Sequence, residues 1–233
     1  MQRWLLISLL LAPFVLAKAQ EERVVRNPYY DYRQFHYGFS VGLHTQDMLL
    51  TNSGFTQPNG DVWFAEIPRY SPGFSVGLLG DWTFNPFLSL RFVPSLHFGE
   101  INIKYMEQDS HKQTKVNLRS NSLQLPIELK IASLRLNNYR PYILAGGYGA
   151  INLGRKKGEI LLLNAADVGV NIGFGCDFYM NLFKFAPEIR FSFGLLDMIS
   201  KDRDDLIDKS LYKYTKALTN GKTRMITLIF NFE

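Results

Sequence analysis

Apolar and polar residues alternate along much of the chain with a period of two residues. Between Phe35 and His44, every second side chain is Phe, Tyr, Val or Leu, and the residues between them are Gly, Ser or His. A period of two places alternate side chains on opposite faces of a β-strand. The segment is therefore predicted to be a strand with one apolar face and one small, polar face.

The same alternation returns in seven further segments. They comprise residues 74–84, 88–98, 122–131, 142–151, 168–178, 183–193 and 226–232. The segment 142–151 is the least clear, because glycines occupy both of its faces. Together with the first strand they give eight strands, and single-chain outer-membrane barrels have an even number.

The connections between the predicted strands alternate between long and short. Long connections run over residues 45–71, 104–118, 153–164 and 196–222, and short ones over 85–86, 136–140 and 180–182. Outer-membrane barrels have short periplasmic turns and long outer loops, whereas a soluble sandwich does not require this order. The sequence therefore predicts an all-β fold, an eight-stranded antiparallel up-and-down transmembrane barrel with both ends in the periplasm.

Charged residues collect on the face opposite the apolar one. The set consists of Arg91, Glu128, Lys130, Asp167, Asp177, Glu188 and Arg190. In a membrane barrel the apolar face contacts lipid, so these side chains would lie in the lumen and pair with one another. Because eight strands enclose a space that side chains fill, we expect an ionic network without an open pore. A proton or ion path is the alternative interpretation.

Aromatic residues and a helical repeat complete the predicted barrel. Aromatic side chains near strand ends are predicted to lie at the membrane interfaces, namely Tyr37, Trp82, Tyr142, Tyr148 and Tyr179. The last outer loop contains apolar residues at helical spacing, namely Ile207, Leu211, Tyr214 and Leu218. We expect a short helix there that caps the barrel, docks a partner or rests on the rim.

The first 19 residues have the composition of a signal peptide. Arg3 precedes an apolar stretch, and Ala17-Lys18-Ala19 has the small-x-small order that signal peptidase recognises. We expect export through the inner membrane, cleavage before Gln20, a periplasmic lead-in over 20–34 and the barrel over 35–233. Beyond residue 20, no apolar stretch reaches the length of a transmembrane helix.

Charge and cysteine content exclude other classes of protein. The net charge of +5 is scattered, so it does not favour a nucleic-acid partner. Cys176 is the single cysteine, so the chain forms no internal disulfide, and no cysteine at the cleavage site offers a lipid anchor. No pair of His or Cys residues has the spacing of metal ligands, and we expect no metal or cofactor.

Two features are considered as catalytic sites. His44, Asp47 and His97 could form a hydrolytic site at the outer rim, since general acid-base catalysis needs a histidine close to a carboxylate. The sequence Gly-Phe-Ser-Val-Gly occurs at 38–42 and 73–77. A serine in this motif is a nucleophile only at a strained strand-to-helix turn. Both copies lie inside predicted strands, so we interpret them as small inward-facing residues and predict no enzyme.

Several stretches resemble the PorT family, outer-membrane barrels of Bacteroidota that are associated with the type IX protein secretion system. The matching sequences are Asn-Pro-Tyr-Tyr-Asp at 27–31, Phe-His-Tyr-Gly-Phe-Ser-Val-Gly at 35–42, Leu-Pro-Ile-Glu-Leu-Lys at 125–130, Arg-Pro-Tyr-Ile-Leu-Ala-Gly-Gly at 140–147, Ala-Pro-Glu-Ile-Arg-Phe-Ser-Phe-Gly-Leu at 186–195 and Leu-Ile-Phe-Asn-Phe-Glu at 228–233. The chain departs from the family in its long first outer loop and in the apolar loop at 159–163.

The resemblance implies a non-enzymatic accessory of type IX secretion. Such a protein supports export of cargo across the outer membrane, and in some bacteria gliding. Its partners would be the lipid bilayer and other secretion components, with an oligomeric state that the sequence does not give. A general adhesin or envelope barrel is the alternative, and a hydrolase at the rim is a third hypothesis.

Overall fold

The structure is a computed structural model that describes residues 25–55, 62–69, 71–107, 113–155, 161–201 and 212–233. Its strands are β1 (Phe35–Asn52), β2 (Trp63–Arg69), β3 (Ser71–Asn85), β4 (Leu88–Phe92), β5 (Ser95–Phe98), β6 (Glu100–Glu107), β7 (Gln113–Arg119), β8 (Ser122–Ala132), β9 (Tyr139–Asn152), β10 (Ala166–Tyr179), β11 (Lys184–Gly194) and β12 (Leu218–Phe232). A 3-10 helix spans Tyr30–Tyr32, and α1 spans Tyr212–Lys216. The predicted signal peptide lies outside the described residues.

Nine of these strands form one closed antiparallel sheet. β4 and β5 together make the third strand of the ring, because both pair with β3 on one side and with β8 on the other. β1 pairs with β3 and also with β12, which closes the barrel. The eight-stranded up-and-down barrel is therefore confirmed. The third strand breaks at Val93 and Pro94, where the carbonyl of Pro94 accepts a hydrogen bond from the amide of Leu78 at 3.1 Å.

The faces of the barrel are oriented as the alternation predicts. Large apolar side chains are exposed around the outside, among them Val170, Ile172 and Phe174 along β10. Charged and polar side chains fill the inside. This is the arrangement of a membrane barrel, because lipid can contact apolar side chains while ionic groups remain in the lumen. No helix in the described residues is long and apolar enough to cross a membrane.

The prediction of interfacial aromatics is partly wrong. Tyr37 and Trp82 are exposed, but Tyr142, Tyr148 and Tyr179 are buried inside the barrel. Tyr179 lies two residues after the inward-facing Asp177 and therefore on the same face. For Tyr142 and Tyr148 the inward face could not be assigned from the sequence, because glycines occupy both faces of β9.

Three of the predicted outer loops, 45–71, 104–118 and 196–222, contain strand residues. β2, β6 and β7 form a separate three-stranded antiparallel sheet beyond the ring. β1 and β12 also continue past the barrel, where they pair with each other as far as Asn52 and Leu218. The prediction of 45–71 and 104–118 as loops is thus wrong. For 104–118 the sequence carries a signal, because the alternation of Ile101, Ile103 and Tyr105 continues the strand pattern past the membrane.

The predicted helix of the last outer loop is present as the short α1. Tyr214 and Leu218 are both buried, in α1 and at the start of β12 respectively. Ile207 and Leu211 lie outside the described residues. The helix therefore packs inward at the outer end of the barrel.

The two Gly-Phe-Ser-Val-Gly copies lie opposite each other in β1 and β3. Ser40 faces Gly77, and Ser75 faces Gly42. A methyl group on Gly42 would come within 2.6 Å of the Ser75 hydroxyl oxygen, and one on Gly77 within 2.8 Å of the Ser40 hydroxyl oxygen. Each serine therefore needs the glycine of the other copy, which gives the repeat a packing role inside the barrel.

Candidate functional site

The centre of the lumen is occupied by Arg91, whose side chain is completely buried. Its guanidinium contacts three carboxylates, those of Asp81 at 2.7 Å, Glu188 at 3.1 Å and Glu233 at 3.3 Å. The Tyr142 hydroxyl donates a hydrogen bond of 3.0 Å to Glu188. The five donors of a guanidinium suit such a junction of several carboxylates.

Lysines extend this network toward the end of the barrel with the short turns, which we expect to be the periplasmic end. Lys130 contacts Asp177 at 2.8 Å, and its ammonium also lies 4.1 Å from the centre of the Tyr142 ring. Lys184 pairs with Glu233 and lies 4.0 Å from Asp177. The two lysines thus share Asp177, and Glu233 links them to Arg91 at the centre of the barrel.

A second arginine extends the network toward the outer end. Arg190 contacts Glu188 at 2.7 Å and Glu128 at 2.9 Å. Glu128 also accepts a hydrogen bond of 2.9 Å from the Asn171 amide. Because Glu188 contacts both arginines, the ion pairs form one connected set across the barrel.

The structure brings together six of the seven charged residues named from the sequence. Asp167 lies apart, where it accepts a hydrogen bond of 2.6 Å from the Thr223 hydroxyl. Sequence reasoning left four members out of the set, namely Asp81, Tyr142, Lys184 and Glu233. Asp81, Lys184 and Glu233 share the inward parity of the others, since Glu233 lies two residues after the inward-facing Asn231.

The residues considered for hydrolysis are not arranged at the outer rim. His44 and His97 are buried inside the barrel with their ring centres 5.2 Å apart. The His97 ring contacts the Ser95 hydroxyl at 2.9 Å, while Asp47 pairs with Arg224. Among the described residues neither imidazole has a carboxylate partner. The part of the chain that the structure describes also contains no group of three or more His, Cys, Asp or Glu residues that could hold a metal ion.

The periplasmic end is covered by the segment before β1. Asp31 in the 3-10 helix contacts Arg140 at 3.2 Å and Arg135 at 3.5 Å. Tyr179 donates a further hydrogen bond to Asp31. Asn27 is held by a hydrogen bond of 3.1 Å from its amide to the carbonyl of Met180. The lead-in therefore binds to two periplasmic turns and lies across the mouth of the barrel.

Tyr30 is the side chain of this plug that points inward. Its ring centre lies 4.7 Å from that of His36 and 5.0 Å from the Lys184 ammonium. Burial raises the pKa of Tyr30 to about 12, so its hydroxyl stays protonated at neutral pH. A neutral phenol packed on an ammonium ion closes this end without adding a charge to the lumen.

The outer end is covered by a hydrophobic core, which we call the cap. Its buried side chains are Met48, Trp63, Ala65, Ile101, Ile103, Tyr105, Val116, Leu118, Leu161, Leu163, Met198, Ile199, Tyr214, Ala217 and Leu218. They come from all four outer connections. Trp63 and Tyr105 both pack their rings on Tyr214, with ring centres 5.1 and 4.9 Å away. The outer connections therefore fold together as one unit.

The lumen is thus closed by three layers, the periplasmic plug, the central network and the cap, with a cavity of 40 Å³ left beneath the cap. We expect the protein to form no stable ion channel, because each of these layers blocks an aqueous path. Recording of planar lipid bilayers that contain the refolded protein would test this expectation. Stepwise conductance that persists after repurification would contradict it and would favour the ion-path interpretation of the network.

Comparison with known proteins places this geometry in a family. Residues 18–200 match the family model described as outer membrane protein beta-barrel domain. Comparison with curated proteins gives no match.

Solved structures that resemble the chain include three small barrels. Neisserial surface protein A is 10% identical, with a TM-score of 0.41 over 85% of this chain and 98% of that one. Ail of Yersinia pestis is 11% identical, with a TM-score of 0.37 over 86% and 99%. The N-terminal barrel domain of Pseudomonas aeruginosa OprF is 14% identical, with a TM-score of 0.31 over 84% and 100%. Because the family model spans more than half of the chain, the protein belongs to the outer membrane protein beta-barrel domain family.

Proposed function

We propose that this outer-membrane barrel is non-enzymatic and acts by contacting other proteins, as a component or accessory of the type IX protein secretion system. The observation that carries the proposal is the combination of a filled lumen with a folded outer cap. A filled lumen gives cargo no route through the barrel, so any contribution to export must come from the protein's surface. The cap is a rigid surface at the end where outer-membrane barrels carry their long loops.

The specific link to type IX secretion rests on the sequence resemblance to PorT. The tyrosine-rich lead-in carries part of that resemblance, and it includes the Asn27 and Asp31 contacts that hold the plug. The motifs at 125–130 and 186–195 supply Glu128, Lys130, Glu188 and Arg190 of the network. The resembling stretches therefore supply several of the residues that fill the lumen, although the central Arg91 lies outside them. This supports a barrel that is closed to cargo and acts through its surface.

Deletion of the gene tests the proposed role directly. We expect cargo proteins of the type IX system to accumulate in the periplasm of the deletion strain and to return to the medium on complementation. Immunoblotting of periplasmic and secreted fractions measures this. Normal cargo export in the deletion strain would overturn the proposal.

A variant of the cap tests whether the outer surface is the part that acts. Tyr105→Ala removes a fully buried ring from the cap core, and truncation of a buried aromatic side chain costs about 3–5 kcal/mol. We expect the cap to loosen while the ring of eight strands stays folded, because Tyr105 lies beyond the ring. The measurements are protease cleavage of the outer connections in intact cells and cargo export in the complemented strain.

The matched control is Phe64→Ala in the same cap sheet, where the ring is 38% exposed. This variant should leave the cap folded, since a partly exposed apolar side chain contributes less to stability than a fully buried one. A loss of export in Tyr105→Ala but not in Phe64→Ala would then be due to loosening of the cap. A loosened cap with normal export in Tyr105→Ala would contradict a role for the outer surface.

A general adhesin or envelope barrel is the second candidate. It is favoured by the same folded cap, which presents aromatic side chains such as Phe55 and Phe64 at the surface. This role predicts altered cell adhesion in the deletion strain with cargo export intact. Measuring adhesion and export in the same strain separates the two candidates.

A further inference from the structure

Asp167 differs from the other buried carboxylates of the lumen. Six of these have an ion pair with Arg or Lys, namely Asp47, Asp81, Glu128, Asp177, Glu188 and Glu233. Asp167 is 4% exposed and has no such partner in the part of the chain that the structure describes. One of its oxygens accepts a hydrogen bond of 2.6 Å from the Thr223 hydroxyl. The backbone amides of Val168 and Leu196 also face the carboxylate, but Oδ1 has no well-formed hydrogen bond among the described residues.

A carboxylate in this position needs a compensating charge. Transfer of an isolated ion from water to a protein interior is strongly unfavourable, and buried charges are normally paired or bind a metal ion. The seven other lumen and plug carboxylates, with Asp31 included, follow this rule through side chains. Because no cationic side chain among the described residues pairs with Asp167, we take its counter-charge to be a proton or a bound cation.

A small cavity lies directly beside Asp167, between the barrel and the cap. Its volume is 40 Å³, which is room for about three water-sized particles. The polar side chains that line it are Gln46, Ser120, Ser122, Gln124, Tyr148, Asn152, Asp167 and Thr223. The remaining lining is apolar and includes Ile101, Leu163 and Met198 of the cap core.

The chemistry of this lining favours a hard cation. Carboxylate, amide and hydroxyl oxygens are the ligands of such ions, and the lining contains no Lys, Arg or His that would repel one. The Gln46 amide nitrogen donates to the Ser120 hydroxyl at 2.8 Å, so its carbonyl oxygen stays available as a ligand. Calcium affinity rises with the number of charged ligands, and this cavity offers a single carboxylate.

We propose that the cavity beside Asp167 binds one monovalent cation, sodium, which joins the barrel to the cap. The charge of the ion balances the single carboxylate, and the neutral oxygens replace part of its hydration shell. Because the lining comes from β1, β8, β9, β10 and β12 as well as from the cap, the bound ion stabilises the contact between the two parts.

Thermal unfolding in different salts tests the site. The refolded full chain in detergent micelles is heated in sodium chloride or in choline chloride at equal concentration, and circular dichroism gives the Tm. We expect Tm to be about 5 °C higher in sodium and to rise with its concentration until the site is saturated. Equal Tm values in the two salts would overturn the proposal, because they indicate a protonated or merely hydrated Asp167. A response to calcium chloride but not to sodium chloride would overturn the monovalent assignment.

Two variants test whether the sodium-dependent increase in Tm comes from Asp167. Asp167→Asn keeps the shape of the side chain and removes its charge, so we expect the difference between the salts to disappear. Asp47→Asn is the matched control, since it removes another buried carboxylate at the same end of the barrel that has Arg224 as its partner. The control should retain the sodium response. A sodium response that persists in Asp167→Asn would overturn the proposal.

A further variant covers the case in which Asp167→Asn does not refold. Gln124→Leu removes one neutral oxygen at similar volume, so several-fold more sodium should be needed for half of the Tm increase. An unchanged sodium dependence in this variant would contradict the assignment of the ion to the cavity.

Discussion

Replacing Arg91 by alanine is expected to lower the free energy of unfolding by about 3–5 kcal/mol, or to prevent folding. The substitution leaves the carboxylates of Asp81, Glu188 and Glu233 close together without the guanidinium that all three contact. Breaking a buried ion pair by removing one partner costs more than the pair contributes, because the remaining charges stay desolvated. Urea-induced unfolding of the protein in lipid vesicles, followed by tryptophan fluorescence, measures the change.

Arg155→Ala is the control for this variant, since Arg155 is exposed on an outer connection. Its effect should stay within about 0.5 kcal/mol, as for surface substitutions in general. A second variant, Arg91→Ala combined with Asp81→Asn, should recover part of the loss, because without Arg91 the nearest remaining cation to Asp81 is Lys130 at 3.9 Å, whereas Glu188 keeps Arg190 and Glu233 keeps Lys184. Equal stability of Arg91→Ala and Arg155→Ala would show that the network contributes nothing to folding.

Placing arginine at Ile172 is expected to destabilise the barrel by about 2–4 kcal/mol when it is folded in a bilayer. Ile172 lies in the middle of β10 on the outward face, with 57% of its side chain exposed. A charged side chain at the centre of the hydrocarbon layer must be partly dehydrated, and the cost falls toward the membrane interface. The same unfolding assay in vesicles measures it.

Leu182→Arg is the matched control for depth, because Leu182 lies in a periplasmic turn and is 94% exposed. We expect a loss of about 0–1 kcal/mol there. Similar small effects at both positions would mean that β10 does not face lipid, and the orientation of the barrel wall would have to be reconsidered.

The eight strands could be predicted because their signal is local. A period of two assigns each residue to one face, and in a membrane barrel that face is either lipid or lumen. The parity of Arg91, Glu128 and Glu188 was therefore sufficient to place them inside. The same rule applied to Tyr179 would have corrected its assignment to the membrane interface.

Other features depend on how far along the barrel axis a residue lies. The alternation of inward and outward residues gives no information about this position. The position follows from the register between strands and from the stagger around the ring. Asp167 shares the inward face of Asp177 but lies ten residues along β10, so it is far from the ionic network. For the same reason, the register of β1, β3 and β5 brings His44 beside His97, although the two residues are far apart in the sequence.

The cap and the plug could not be predicted from strand patterns, because they are formed by packing between distant segments. Trp63, Tyr105 and Tyr214 meet from three different outer connections. Asp31 binds residues that follow it by more than a hundred positions. Contacts of this kind have no periodic signal, and a sequence read segment by segment shows them only as apolar or charged residues in presumed loops.

A hydrophobic core shared by all four outer connections restricts how the protein can be altered from outside. In a barrel with separate loops, each loop accepts an inserted epitope or a change of length without disturbing its neighbours. Here an insertion next to Leu163 or Tyr214 would displace side chains that other connections need for packing. Labels for affinity capture are therefore better inserted at the opposite end, at the exposed Leu182, with the Met180 carbonyl that holds Asn27 left in place.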